Sequence, residues 1–174
     1  YYEEVDSFLA SPASWKKKLS PDVHQLLGNM HTLAMILRQR RLSRGALELS
    51  MPETKIDLDK QGRVSGAHLV ENTESHQIIE EFMLAANEAV ADLLQAHQLP
   101  FLRRVHEPPE PRKLRTLTKF VEELGIGTSS LESRFALQHL LNMVAGQPQQ
   151  HAVNFALLRS LQRAVYSPLE EGHF

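Results

Sequence analysis

Cysteine is absent from the 174 residues. That excludes disulfides, thiolate zinc sites and cysteine nucleophiles together, and nothing requires an oxidising compartment. No run approaches the ~18 consecutive apolar residues of a membrane span, and no charged-then-apolar leader opens the chain, so a cytoplasmic setting without membrane attachment is expected. Aromatics are sparse at 6%, and 19 Lys and Arg against 21 Asp and Glu leave a net charge of −2. Bulk charge therefore shows none of the basic footprint typical of nucleic-acid binders. What remains, 42% hydrophobic and 23% charged residues, is an ordinary globular composition and no disordered tail. The length suits one domain with a real core. A start at Tyr1 without methionine and a stop at Gly172-His173-Phe174 give the expectation of a segment of a longer chain.

Apolar spacing sets out the elements. Val5, Phe8 and Leu9 share a face of a short helix whose first turn is acidic. After Ser11-Pro12, Ser20 and Pro21 open a helix carrying Val23, Leu26, Leu27, Met30, Leu33, Ala34 and Leu37, running to about Arg41. Leu47, Leu49 and Met51 alternate with polar residues as a half-buried strand does. Ile56 and Leu58 alternate again, Gln61-Gly62 turns, and Val64 to Val70 is extended, which predicts two or three short antiparallel strands. Thr73 or Ser75 is expected to cap the longest helix, whose stripe is Ile78, Ile79, Phe82, Met83, Ala86, Val90, Leu93 and Leu94. Phe101 to Val105 reads as another strand. Helices follow over Leu114 to Leu124, from a Ser129/Glu132 capping box to Gly146, and from about Pro148 to the Ser167-Pro168 break. The expected fold class is α+β, helix-rich with a small antiparallel sheet.

Nine histidines invite a metal site. His24 with His31, and His76 with Glu80 at i, i+4, match neither H-E-x-x-H nor the usual zinc spacings, so no metal ligands are assigned. Phosphate-cradling loops and the G-x-S-x-G elbow are missing, and Gly125-Ile126-Gly127 follows a helix rather than a strand. Two basic clusters stand out: Arg38, Arg40, Arg41 and Arg44 at one helix end, and Arg103-Arg104 leading through His106 to Arg112, Lys113 and Arg115. Arginine forks suit phosphate, but cations at a helix C-terminus also oppose its dipole, and basic faces are commonly just solvated. Glu80 and Glu81 flank an apolar stripe and read equally as an ion pair or a helix flank, with Asn87 able to share the face of Glu80. Tyr2 can serve as a staple on the first helix.

The stretch Ser75-His76-Gln77-Ile78-Ile79-Glu80-Glu81-Phe82-Met83-Leu84-Ala85-Ala86-Asn87-Glu88-Ala89-Val90-Ala91 resembles a signature of the ribonuclease II and ribonuclease R family of exoribonucleases. Other blocks agree in order: Tyr2-Glu3-Glu4-Val5 before it, Arg44-Gly45-Ala46-Leu47 and Pro52-Glu53 between, Arg104-Val105-His106-Glu107-Pro108-Pro109 after. Leu158 to Ser167 and Gly172-His173-Phe174 look like the approach to that family's last catalytic motif. The resemblance implies a hydrolase that degrades single-stranded RNA from its 3′ end to nucleoside 5′-monophosphates, with Mg2+ assisting in-line attack of water.

In such relatives the metal-binding aspartates precede the Tyr-Glu-Glu-Val block and a Ser-Pro-Ile-Arg motif follows Gly-His-Phe. By that resemblance, residues 1–174 are an interior segment of one RNB-type catalytic domain, covering none of the metal-ligand aspartates and inactive by itself; the protein is expected to be a monomer. Tyr2 matches a family tyrosine that grips RNA near the 3′ end, with Tyr1 one residue out of register. Glu80 matches a residue associated with ribose recognition, with Glu81 its rival by one position. A carboxylate accepts from the 2′-hydroxyl that DNA lacks, which implies RNA rather than DNA as partner. Arg103 and Arg104 are the preferred basic contacts to RNA. Leu49 departs from the phenylalanine that relatives carry before Pro-Glu, and it cannot stack on a base as an aromatic ring does. The competing reading is a catalytically degenerate relative that binds RNA or a protein partner without cutting.

Overall fold

The computed structural model describes residues 1–49, 51, 53–70, 72–128, 130–169 and 171–172. The expected Ser129 cap, Pro52, and the His173-Phe174 end of the last motif lie outside these residues. The element order is α1 (Tyr2–Ala10), α2 (Pro12–Trp15), α3 (Pro21–Ser43), β1 (Glu53–Leu58), β2 (Val64–Val70), α4 (Glu74–Ala96), β3 (Arg103–Val105), α5 (Pro111–Glu123), α6 (Arg134–Val144), α7 (Gln150–Ser160) and β4 (Val165–Ser167). The helix-rich α+β class holds, its strands forming two separate antiparallel ribbons, β1-β2 and β3-β4. The chain divides into two compact units, Tyr1–Arg41 with Pro52–Asp92, and Leu42–Met51 with Leu93–Phe174.

In the first unit Phe8, Ala34 and Ile78 are the buried apolar side chains. The His24 ring meets Phe8 edge-on at 5.0 Å, and the Ser20 hydroxyl accepts from the Val23 amide, as the sequence predicts for the start of α3. The β1-β2 hairpin turns where Asp59 accepts from the amides of Gln61 and Arg63, both at 2.9 Å, and Gly62 takes φ 77°.

The second unit holds a denser core. Leu114, Leu117 and Val121 of α5 meet Leu137, Leu140, Leu141 and Val144 of α6 and Val153 and Leu157 of α7, because each helix places its apolar residues at three-and-four spacing. Leu47 and Leu49 pack on that core, yet residues 46–49 form no strand. The Gln138 amide donates to the Leu42 carbonyl in the last turn of α3 and to the Ala46 carbonyl, at 2.9 and 3.0 Å, so a side chain ties the helix end to the start of this segment. Helix α6 starts at Arg134, with Ser133 as the N-cap accepting from the Ala136 amide, later than expected. The last helix stops at Ser160, and Val165–Ser167 pairs with β3 in the register Arg103↔Ser167, Arg104↔Tyr166, Val105↔Val165. That pairing overrides a local sequence with no glycine or proline between Ser160 and Ser167.

Candidate functional site

The start of α4 is organised from α1. Asp6 accepts from the Thr73 hydroxyl at 2.8 Å and from the Ser75 amide at 3.1 Å, so a carboxylate remote in sequence caps the helix that Thr73 or Ser75 was expected to cap alone. Burial pushes the Asp6 carboxyl up, but the hydrogen bonds from Thr73 and Ser75 and the nearby His76 outweigh it and hold it below its ordinary value. Thr73 Oγ1 also lies 2.8 Å from His76 Nδ1. With its one proton directed to Asp6, the hydroxyl accepts from Nδ1–H, which fixes the imidazole.

Onto that ring Tyr2 stacks, centroids 4.0 Å apart and planes 16° from parallel. Glu80 stands one helical turn beyond His76 on the same face of α4, its side chain 48% exposed and 3.8 Å from the Arg41 guanidinium. Ile79 and Met83 are exposed beside it, as is Asn87. A cavity of about 460 Å³ lined by Tyr2, Val5, Leu27, Met30, Ile78 and Ile79 adjoins this face. Glu81 points the other way. It is 3% exposed and takes the Arg41 fork, Nε to Oε1 at 3.0 Å, so between the two neighbours only Glu80 offers its carboxylate to solvent.

Arg103 and Arg104 lie in the second unit and, being consecutive on β3, project to opposite faces. Arg103 covers the Phe101 ring at 4.0 Å and donates to the Pro168 carbonyl at 3.3 Å. Arg104 lines a cleft of about 990 Å³ with His106, Arg159, Gln162 and Arg163 over Leu158, Leu161 and Ala164. His106 Nε2 donates to the Gln162 carbonyl. The Gln162 side chain donates to Glu110 at 3.0 Å, and that bond, followed by those from Lys113, holds the Glu110 carboxyl below its ordinary value. The sequence reading assigns RNA contact to Arg103 and Arg104 and takes Arg159 and Arg163 only as part of the Leu158 to Ser167 block, although their i, i+4 spacing is a signal for a shared helical face. It weighed His76 only as half of a metal pair.

Among the described residues no group of three or more His, Asp or Glu is placed to hold a metal ion. The described residues therefore do not fit a magnesium site. No helix among the described residues is long and apolar enough to cross a membrane.

Ribonuclease R of Thermotoga maritima is 38% identical over 176 residues, covering 99% of this chain and 24% of that protein. Ribonuclease R of Aquifex aeolicus is 34% identical, covering 100% and 25% respectively. The chain thus spans about a quarter of the length of these relatives. Among solved structures, Mycoplasma genitalium RNase R in complex with ribose-methylated single-stranded RNA superposes with a TM-score of 0.90 at 28% identity, over 99% of this chain and 27% of that one. The model of the RNB domain matches residues 1–174, and the chain belongs to the RNB domain family.

Proposed function

We propose that the parent protein is a 3′-to-5′ exoribonuclease hydrolysing single-stranded RNA to nucleoside 5′-monophosphates, and that residues 1–174 are an interior segment of its catalytic domain supplying RNA-positioning surface. The observation that carries this reading is the RNB match along the whole chain. In the first unit, the Tyr2 ring braced on His76 offers an aromatic face and a phenol to the RNA end. Glu80, exposed on that face, accepts from a ribose 2′-hydroxyl. In the second unit, Arg104 meets backbone phosphate, and Arg103, sharing itself between Phe101 and Pro168, steadies the strand that presents it. The divalent ion implied by the family, taken as Mg2+, is held by residues of the parent other than those described. The enzyme works as a cytoplasmic monomer with no membrane attachment and no DNA substrate.

The test incubates the parent protein and Mg2+ with a 5′-labelled single-stranded RNA and its DNA counterpart. Stepwise shortening of the RNA with release of nucleoside 5′-monophosphates is expected. Tight RNA binding without any shortening overturns the hydrolase and leaves the degenerate binding module.

A further inference from the structure

We infer that the cleft between β3 and the end of α7 is a second RNA subsite, in which Arg104, Arg159 and Arg163 take successive backbone phosphates of the single strand. The inference rests on the proposed function for its substrate class and adds Arg159 and Arg163 to the phosphate contact already proposed for Arg104.

Composition makes the first argument. Among the described residues the lining carries three guanidinium groups and an imidazole and no carboxylate, over the apolar floor of Leu158, Leu161 and Ala164. The nearby acid Glu110 is engaged outside the lining, by the Gln162 amide and by Lys113 at 3.4 Å. Guanidinium forks match phosphate oxygens in pairs, and a chain of net charge −2 that gathers three of them in one concavity has built a local exception to its own balance.

Preorganisation makes the second. The His106 ring is tied to the Gln162 carbonyl, which anchors the segment between α7 and β4 against β3. Arg163 comes from that segment, Arg159 from the last turn of α7, and Arg104 from the strand, so three elements each bring one cation to the same space. Shape makes the third. A cleft of about 990 Å³ is at the upper end of ligand-site volumes of roughly 300–1,000 Å³, more than one phosphate needs. Tyr166, the cross-strand partner of Arg104, is 76% exposed on the same face of the ribbon, where an aromatic ring can receive an unstacked base.

The experiment measures binding of a fluorescein-labelled single-stranded oligoribonucleotide to the parent protein in EDTA across a salt series. Arg159→Ala/Arg163→Ala is compared with Arg159→Lys/Arg163→Lys, and thermal unfolding checks that both fold. Removing one phosphate-binding cation lowers the slope of log K against log salt by about 0.7. The alanine pair is therefore expected to weaken binding ~10-fold and flatten the slope by about 1.4, while the lysine pair keeps the slope. An unchanged slope in the alanine pair overturns the subsite. A mononucleotide that displaces the oligonucleotide as well per phosphate as RNA does also overturns it, because the cleft then takes free phosphate rather than the strand. Failure of the proposed function reads differently: the slope change survives while the unlabelled RNA stays uncut when Mg2+ is restored.

Discussion

Glu81 turns into the first unit and meets the Arg41 guanidinium, whereas Glu80, about 100° round the helix, keeps its carboxylate in solvent. Periodicity alone could not say which of two adjacent carboxylates faces α3, since both border the apolar stripe; burial decides it. The two substitutions should therefore separate. Glu81→Ala leaves the Arg41 charge without its buried partner and is expected to cost about 3 kcal/mol in denaturant unfolding. Glu80→Ala, at an exposed position, should change stability by less than ~0.5 kcal/mol and instead narrow the preference for RNA over DNA in a competition assay. An unchanged preference removes Glu80 from the ribose site. His76 was legible only as a residue type; its use as the shelf for Tyr2 depends on Thr73 and Asp6, and the hydrogen bond between those two spans 67 residues of chain.

At the scale of elements, the helix starts at Tyr2 and Pro21 and the β1-β2 hairpin could be read from capping and alternation, because those signals are local. The end of α7 could not. Its stop comes from pairing with a strand far away in sequence, and residues 46–49 have the alternation of a strand but form none, the Ala46 carbonyl accepting from the Gln138 amide. Gly45 shows how closely that segment is held. Its φ is 90°, and a Cβ there would lie 2.9 Å from Arg134 Cγ, so Gly45→Ala should destabilise by about 1–3 kcal/mol, read from the unfolding midpoint. The Asp6 cap carries a pH signature. Its folded-state pKa is depressed, so the stabilisation is present above the unfolded value and is lost as pH falls through the folded one. Unfolding measured from neutral pH to about pH 3 should show a smaller acid loss in Asp6→Asn than in the wild type, while Asp6→Ala costs roughly 1 kcal/mol at neutral pH.

For the molecule as a whole, the net charge of −2 conceals a local concentration of cations, a cleft whose described lining holds three arginines and no carboxylate. The family was legible because its motifs are contiguous blocks; the cleft was not, because its cations come from three elements brought together only by folding. On the proposed placement of the metal ligands elsewhere in the parent, residues 1–174 expressed alone should release no mononucleotide from RNA and Mg2+, checked by thin-layer chromatography of the products beside the parent protein. The β3-β4 ribbon adds a kinetic consequence. It joins segments roughly 60 residues apart through three residue pairs, and closing a loop of that length costs about 3–4 kcal/mol of chain entropy. Only prior assembly of α5, α6 and α7 brings its ends together, so the ribbon zips late and unzips first. Amide protons that β3 donates to β4 should exchange through this local opening well before those of Leu140 and Leu157, which makes the mouth of the arginine cleft a breathing edge on a slowly exchanging core.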